Sequence, residues 1–335
     1  MTSTLLTIAI PTFDRNEVLA QTVATLLPQM RPGVKLVIRD NASPRPVSQT
    51  LAAMVSGRAD VEVISNPWNV GGNANMLRCL EHCDSEWLWV LGDDDLPDAD
   101  AVTRILSDVA AAPEALTAFN YRSELYDRRE ALELCGAEDF LDRMDSLSNV
   151  LFLSASVVRA PRLQPHLRLA YAYAYSNMPH VVALLLALGE QGRVRLSTAH
   201  IASWVEAPAG SAWSVINAAL AFPTVLDLPL PHRQRLLLAR QVEADVQPEL
   251  LGLARQLLAR ARADNEAPAA RWLWRQMRAR RFRGLPFSAR SVLAWALGAL
   301  FIAPRITQPI VEWAARMLLG PRAARNALQD RTQRI

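Results

Sequence analysis

The chain has 335 residues, enough for two compact domains or for one α/β domain with a helical extension. Hydrophobic residues at 51% and charged residues at 21% exclude an intrinsically disordered chain, and a net charge of +3, carried almost wholly by arginine because Lys35 is the only lysine, names no partner. Cys79, Cys83 and Cys135 are too few for a disulfide framework and lack the second pair that a zinc site needs, which fits a reducing compartment.

The first residues, MTSTLLTIAIPTF, have no basic segment before their apolar run and lead directly into a strand. They are read as the start of the fold rather than a secretory leader, and a cytoplasmic location is expected. From residue 5 to about 120, β-rich runs alternate with amphipathic stretches, the pattern of a parallel sheet covered by helices on both faces. LLTIAIPTF is the first strand, with a helix from about 17 to 27; KLVIRDNAS and VEVISNP are the second and third strands. A helix over 73–82 precedes the strand EWLWVLGDDD, and a helix over 99–111 precedes the strand ALTAFNY.

Residues 121–230 mix a short strand, FLSASVVR, with the tyrosine-rich AYAYAYSNMPH and the apolar helix VVALLLALGEQG. The proline-rich LDLPLPH at 226–232 suggests a boundary. The expected organisation is a catalytic domain over 1–230, with a ligand-binding half over 1–120 (the nucleotide sugar, in the resemblance described below) and an acceptor-binding half over 121–230, followed by a helical, basic, membrane-associating extension over 231–335.

In open α/β sheets ligands bind outside the carboxyl ends of the strands. Polar motifs stand at the ends of the first four predicted strands: Pro11-Thr12-Phe13-Asp14, Asp40-Asn41, the segment 66–73, and Asp93-Asp94-Asp95. Carboxylates crowded at one sheet end repel each other and call for a cation. Mg²⁺ or Mn²⁺, which prefer oxygen ligands, suit them. Each piece also has a plain structural reading: the aspartates as a helix-capping turn, Asp40-Asn41 as an Asx turn, Gly71-Gly72 as a turn before a helix.

In combination and order the motifs resemble those of family 2 glycosyltransferases. Pro11-Thr12-Phe13-Asp14-Arg15 is similar to the opening PTYNR of that family, Asp40-Asn41-Ala42-Ser43 to its second motif, Asn69-Val70-Gly71-Gly72-Asn73 to its asparagine-glycine segment, and Gly92 to Asp95 to its DXD motif. The last has the form found in abequosyltransferase-like enzymes of bacterial O-antigen, capsule and exopolysaccharide synthesis. The resemblance implies a GT-A, Rossmann-like fold, a nucleotide-sugar donor and inversion by direct displacement. It implies that Pro11, Thr12, Phe13 and Asp14 line the base and ribose pocket, with Phe13 able to stack, and that Asp40 and Asn41 receive the base. Asn69, Gly71 and Asn73 would then run along ribose and phosphates. Asp93 and Asp94 would hold ribose and phosphates, and Asp95 with Asp93 the metal.

An inverting transferase needs a base for the acceptor hydroxyl. The Glu-Asp pair of many relatives is missing, and His180, before the apolar helix, stands at the comparable place; it is equally a polar helix-start residue. Glu206, after IASWV, is the second candidate, with Asp139 and Asp142 behind it. Trp213 is read either as a cover of the site or as core, and Cys79, Cys83, His82 and His200 as packing residues.

The tail RWLWRQMRARRFRG joins arginines to aromatic residues, followed by an apolar run, 291–304, too short to span a bilayer. Residues 271–320 are expected to lie on the inner face of the cytoplasmic membrane, with Trp272, Trp274, Trp295 and Phe301 entering the headgroup boundary, or else to form a soluble helical subdomain or dimer contact. Nucleic acid is disfavoured because no nucleic-acid-binding fold is evident. A polyprenyl-diphosphate-linked glycan acceptor would join the two halves. The competing classes are a non-catalytic nucleotide-binding protein at the membrane surface and a nucleotidyltransferase, whose lysine-containing phosphate loop is missing after the first strand.

Overall fold

Apolar residues at alternate positions give the first strands two buried faces. β1 (Leu6–Thr12), β2 (Val34–Asp40), β3 (Val61–Ser65) and β4 (Trp87–Val90) lie parallel in the order β3-β2-β1-β4. The connecting helices are α1 (Asn16–Leu26), α2 (Val47–Val55) and α3 (Gly72–Glu81), with α4 (Ala101–Ala110) after the fourth strand. Ile8, Ile10, Leu36 and Ile38 pack against Leu19 and Val23 of α1, Leu51 of α2 and Ile105 of α4. Ala9, Leu88 and Val90 face the other way, onto Met76, Cys79 and Leu80 of α3, as a period of two requires. Cys79 and Cys83 are therefore core residues, and burial pushes the Cys79 thiol up to about 12. The sequence pattern does not reveal α2, which starts directly after Pro46, at the end of the loop-like stretch Pro44-Arg45-Pro46.

The structure, a computed structural model, describes residues 4–205, 215–246, 250–263, 267–282, 285, 288–299, 301, 307, 309 and 313. The ribbon strand β5 (Leu96–Pro97) is followed by β6 (Leu116–Arg122), β7 (Leu132–Cys135), β8 (Ser156–Arg159), β9 (Arg193–His200) and β10 (Ala202–Ser203). The main sheet has eight strands in the order β3-β2-β1-β4-β8-β6-β9-β7, while β5 and β10 pair separately. β6 does not adjoin β4 as a simple continuation; β8 inserts between them, antiparallel to both. Two antiparallel steps restore the direction, so β6 and its parallel neighbour β9 end on the same rim as β1 to β4, and β8 begins there.

Between these strands lie α5 (Gly136–Arg143), α6 (Leu147–Leu151), α7 (Ala160–Leu163), α8 (Leu167–Ala172) and α9 (Pro179–Leu188). Asp139, a predicted reserve base on α5 with Asp142, instead accepts a hydrogen bond from the Cys135 N–H at 2.9 Å and pairs with Arg143 at 3.1 Å. β7 runs antiparallel to β9, so its end at Cys135, and α5 after it, lie away from the rim.

The chain divides into two compact units, Met1–Glu206 and Ala207–Ile335. The second contains α10 (Val215–Ala221), α11 (His232–Gln241), α12 (Leu250–Ala263), α13 (Ala267–Arg281) and α14 (Ala289–Ala299). Ala219 of α10 packs in its core, so the division precedes the proline-rich stretch 226–232 rather than following it. Trp274 and Phe301, expected at a headgroup boundary, are instead 1% and 0% exposed at the centre of this core. The Trp274 indole N–H donates to the Ala294 carbonyl at 3.0 Å, which satisfies its one polar atom. Trp272, Trp295 and Trp313 are exposed, as are Val292 and Leu293 on the outer face of α14, and the Arg278 guanidinium lies 3.7 Å from the centre of the Trp295 ring. Among the described residues no helix is long and apolar enough to cross a membrane.

Candidate active site

The loop after β1 turns sharply because Asp14 takes φ 53, and its N–H donates to the Ser43 hydroxyl at 2.9 Å, tying this loop to the one after β2. Thr12 points inward and donates to Asp93 Oδ2 at 2.7 Å. Arg15 reaches the same cluster with both guanidinium ends, 2.8 Å to Asp93 Oδ1 and 2.5 Å to Asp94 Oδ2. Phe13 is left on the surface, where an incoming flat group can meet its ring.

Asp40 is 1% exposed, with Oδ1 accepting the Ser43 N–H at 3.0 Å and Oδ2 the Ser65 hydroxyl at 3.1 Å. In this conformation it organises the loop rather than presenting a free carboxylate. Asn41 does similar work for the third loop: its carbonyl oxygen accepts from Asn66 Nδ2 and from the Val70 N–H, both at 3.0 Å, and its Nδ2 donates to Asn69 Oδ1 at 2.8 Å. Asn69 Oδ1 also accepts the Gly71 N–H, while Asn66 continues the ladder to Asn75 and receives Arg78. Gly71, at φ 84 and ψ 153 immediately before α3, occupies backbone space that only glycine takes without strain. Asn73 turns away from the expected ribose and phosphate track; its Nδ2 donates to the Ala174 carbonyl and to Asn177 Oδ1, which holds the turn ahead of α9.

The acidic motif ends β4. Thr22 donates to the carbonyl of Asp93 at 2.9 Å, and Asp93 and Asp95 are each 6% exposed. Asp95 folds back over Gly92, where a Cβ would collide with its carboxylate. One residue from a distant segment fixes this shape: Ser154 accepts the Gly92 N–H at 2.8 Å and donates its hydroxyl to Asp95 Oδ2, and the Val205 N–H also donates to Asp95. Burial pushes the carboxyls of Asp93 and Asp95 up to about 6, against hydrogen bonds from Thr12 and Ser154 and the charge of Arg15.

Arg15 compensates Asp93 and Asp94, but among the described residues no basic group forms an ion pair with Asp95. A buried carboxylate bordered by two others and lacking a cation is suited to a divalent ion. Among the described residues no three His, Cys, Asp or Glu side chains converge as a metal-holding group. Carboxylate oxygens are the donors that a hard divalent ion takes, one or two at a time, when phosphate oxygens and water complete its shell.

His180 is the second residue of α9, yet neither ring nitrogen has a hydrogen-bond partner or access to solvent. Burial pushes its pKa down to about 4, only partly opposed by the nearby carbonyls of Val150 and Leu151. Glu206 and Trp213, the other sequence candidates here, lie outside the described residues. Across the rim, His200 is held between two acids, with Nδ1 2.9 Å from Asp98 Oδ2 and Nε2 3.3 Å from Glu124 Oε1. Glu124 accepts the Trp204 N–H at 3.2 Å. Partial burial raises the Glu124 carboxyl, but hydrogen bonds from Ser203 and Trp204, with His200 alongside, outweigh it and hold the group below its ordinary value.

Sequence reasoning missed Ser154, Asn75 and the acids Asp98 and Glu124 that hold His200, which it read as a packing residue. Arg15 carried a signal, since it belongs to the first motif, but nothing in the sequence said which acids it would meet.

Residues 7–134 match the family described as Glycosyl transferase family 2. No curated protein sequence matches the chain. The crystal structure of Staphylococcus aureus TarS 1–349 in complex with UDP-GlcNAc has a TM-score of 0.58 at 11% identity, covering 93% of this chain and 92% of that one. The same TarS 1–349 segment in a second crystal structure gives 0.56 at 11% identity, with 93% and 91% covered. TarS in a longer form gives 0.53 at 11% identity, with 92% and 54% covered. The likeness establishes the fold: a GT-A-like, mostly parallel sheet between helices, followed by a helical C-terminal region.

Proposed function

We propose, from the family 2 domain at residues 7–134 and the rim built on it, that the protein is an inverting glycosyltransferase using a nucleotide-sugar donor. The observation that carries this reading is Asp95, a buried carboxylate with no ion pair among the described residues, at the point where the loops after β1 to β4 meet. Pro11, Thr12, Phe13 and Asp14, with Asp40 and Asn41, would border base and ribose. Asn69 and Gly71 would border the phosphates, Asp93 and Asp94 ribose and phosphates, and Asp95 with Asp93 would hold Mn²⁺ or Mg²⁺. The ion supplies charge stabilisation to the departing nucleoside diphosphate. Asp40, Asn41 and Asn73 act chiefly through the loops they fix.

In this reading the acceptor is a polyprenyl-diphosphate-linked glycan of O-antigen, capsule or exopolysaccharide synthesis, as in the abequosyltransferase-like group. The protein works peripherally on the inner face of the cytoplasmic membrane through residues 271–320. The exposed Trp272, Val292, Leu293, Trp295 and Trp313, with arginines beside them, support a lipid surface as partner.

The test is release or transfer of sugar from a panel of nucleotide sugars with Mn²⁺ or Mg²⁺. Asp95→Ala is expected to lower turnover by roughly a thousandfold or more, as loss of a principal electrostatic element does. Near-normal turnover of that variant would remove the metal assignment. The inaccessible nitrogens of His180 favour a second reading, a nucleotide-binding membrane-surface protein without catalysis. Tight nucleotide binding with no turnover of any donor would establish it over the first.

A further inference from the structure

The sheet order divides the rim into two flanks about the acidic motif. The loops of β3, β2 and β1 lie on one side of β4, and those of β8, β6 and β9 on the other. The first flank and the acidic motif together carry all the residues assigned above to base, ribose and phosphate. The second carries an exposed aromatic face and an exposed carboxylate that this assignment leaves unused.

Trp204 is 45% exposed although its backbone is fixed on both sides. Its own N–H donates to Glu124, the following N–H of Val205 donates to Asp95, and the preceding Ser203 pairs with Leu96 in the ribbon that leaves the acidic motif. Trp204 is thus one residue from a hydrogen bond to the acid assigned to the metal. The loop bearing Glu124 is also fixed. Buried Arg128 holds Asp145 through two hydrogen bonds, at 2.6 and 2.9 Å, and donates to the carbonyls of Asn120 and Ser197. Ser123, next to Glu124, bonds Asn149. Sugars are recognised by this pairing of surfaces: the C–H face of a pyranose packs on an indole, and its hydroxyls donate to a carboxylate.

We propose that Trp204 and Glu124 form the acceptor subsite, with the acceptor's terminal pyranose stacked on the Trp204 ring and a ring hydroxyl donating to Glu124. This rests on the transferase reading and on the acceptor-binding half expected at 121–230, and adds to them the two side chains that hold the acceptor's terminal sugar.

Octyl glycosides of several pyranoses, offered with the donor panel and Mn²⁺, serve as acceptor probes. Trp204→Ala is expected to raise the acceptor KM roughly tenfold, the equivalent of one stacking contact, and to leave UDP or GDP affinity and acceptor-independent donor hydrolysis unchanged. Trp204→Phe is expected to recover most of the loss. An acceptor KM within twofold of the parent, or an equal rise in donor KM, would overturn the subsite while leaving transfer intact. Absence of donor turnover in the parent chain would instead overturn the transferase reading, and the subsite with it.

Discussion

The two flanks of the rim are built in different ways. On the β3-β2-β1 side, the loops after β2 and β3 are held together by side-chain amide contacts: Asn41, Asn66, Asn69 and Asn75 lie within one βαβ neighbourhood. On the β8-β6-β9 side, the parts come from four separated segments: Leu96 and Asp98, Glu124, Ser154, and His200 to Val205. A ladder of neutral amides positions the first flank, whereas a buried ion pair, Arg128 with Asp145, anchors the second. The comparison teaches that the β3-β2-β1 side is set within one βαβ unit, whereas the β8-β6-β9 side depends on contacts between segments far apart in the chain.

The largest expected effect follows from that contrast. Arg128→Ala leaves Asp145 and the Asn120 carbonyl without their partner in a nearly dry site, and breaking a buried pair costs about 3–5 kcal/mol. Urea unfolding should show a loss of this size; a loss below about 1 kcal/mol would mean that the anchor is not electrostatic. On the β3-β2-β1 flank the corresponding change is Gly71→Ala. Nothing within 4 Å would meet the new Cβ, so the cost is backbone strain alone, about 1–3 kcal/mol. It should appear as a reduced urea midpoint together with weaker nucleotide binding, because the strained turn opens the segment from Asn69 to α3.

This contrast also decides what can be read in the sequence. The alternation in LLTIAIPTF and EWLWVLG announces β1 and β4, and the motifs at their ends announce Thr12, Asp93 and Asp95, because strand period and loop position are local properties. Ser154 is invisible in FLSASVVR. Only the antiparallel insertion of β8 between β4 and β6 brings it to Asp95, and an insertion of this kind leaves no periodic trace. Trp274 and Phe301 depart from their expected place for a related reason. An arginine-rich aromatic stretch looks the same whether its tryptophans face lipid or a helical core, and the Ala294 carbonyl that satisfies the indole lies on another helix. His180 shows the converse, a position before a helix that is legible beside a ring orientation that is not.

Ser154→Ala tests whether the far flank positions the metal acid. The variant removes one hydrogen bond to Asp95 and one to the Gly92 N–H without touching a charge. Loss of such a supporting partner typically weakens metal affinity by about 10–100-fold. Unchanged Mn²⁺ affinity in a calorimetric titration would show that β4 alone fixes Asp95.

The smallest effect, about tenfold per pH unit, is the sharpest test of the shared centre. Burial pushes the carboxyls of Asp93 and Asp95 up from 3.8 to about 6. The folded chain therefore binds protons more tightly than the unfolded chain, and the contribution of these groups to stability falls as pH rises from about 4 to about 6. A divalent ion acts in the opposite sense because it takes the carboxylates deprotonated. The gain in melting temperature on adding Mn²⁺ with a nucleoside diphosphate should be full at pH 7 and nearly lost at pH 5, and Asp95→Asn should remove it at both. If instead the gain is equal at the two pH values in the parent chain, the ion is held away from these acids, and the two flanks do not share the centre that Asp95 gives them.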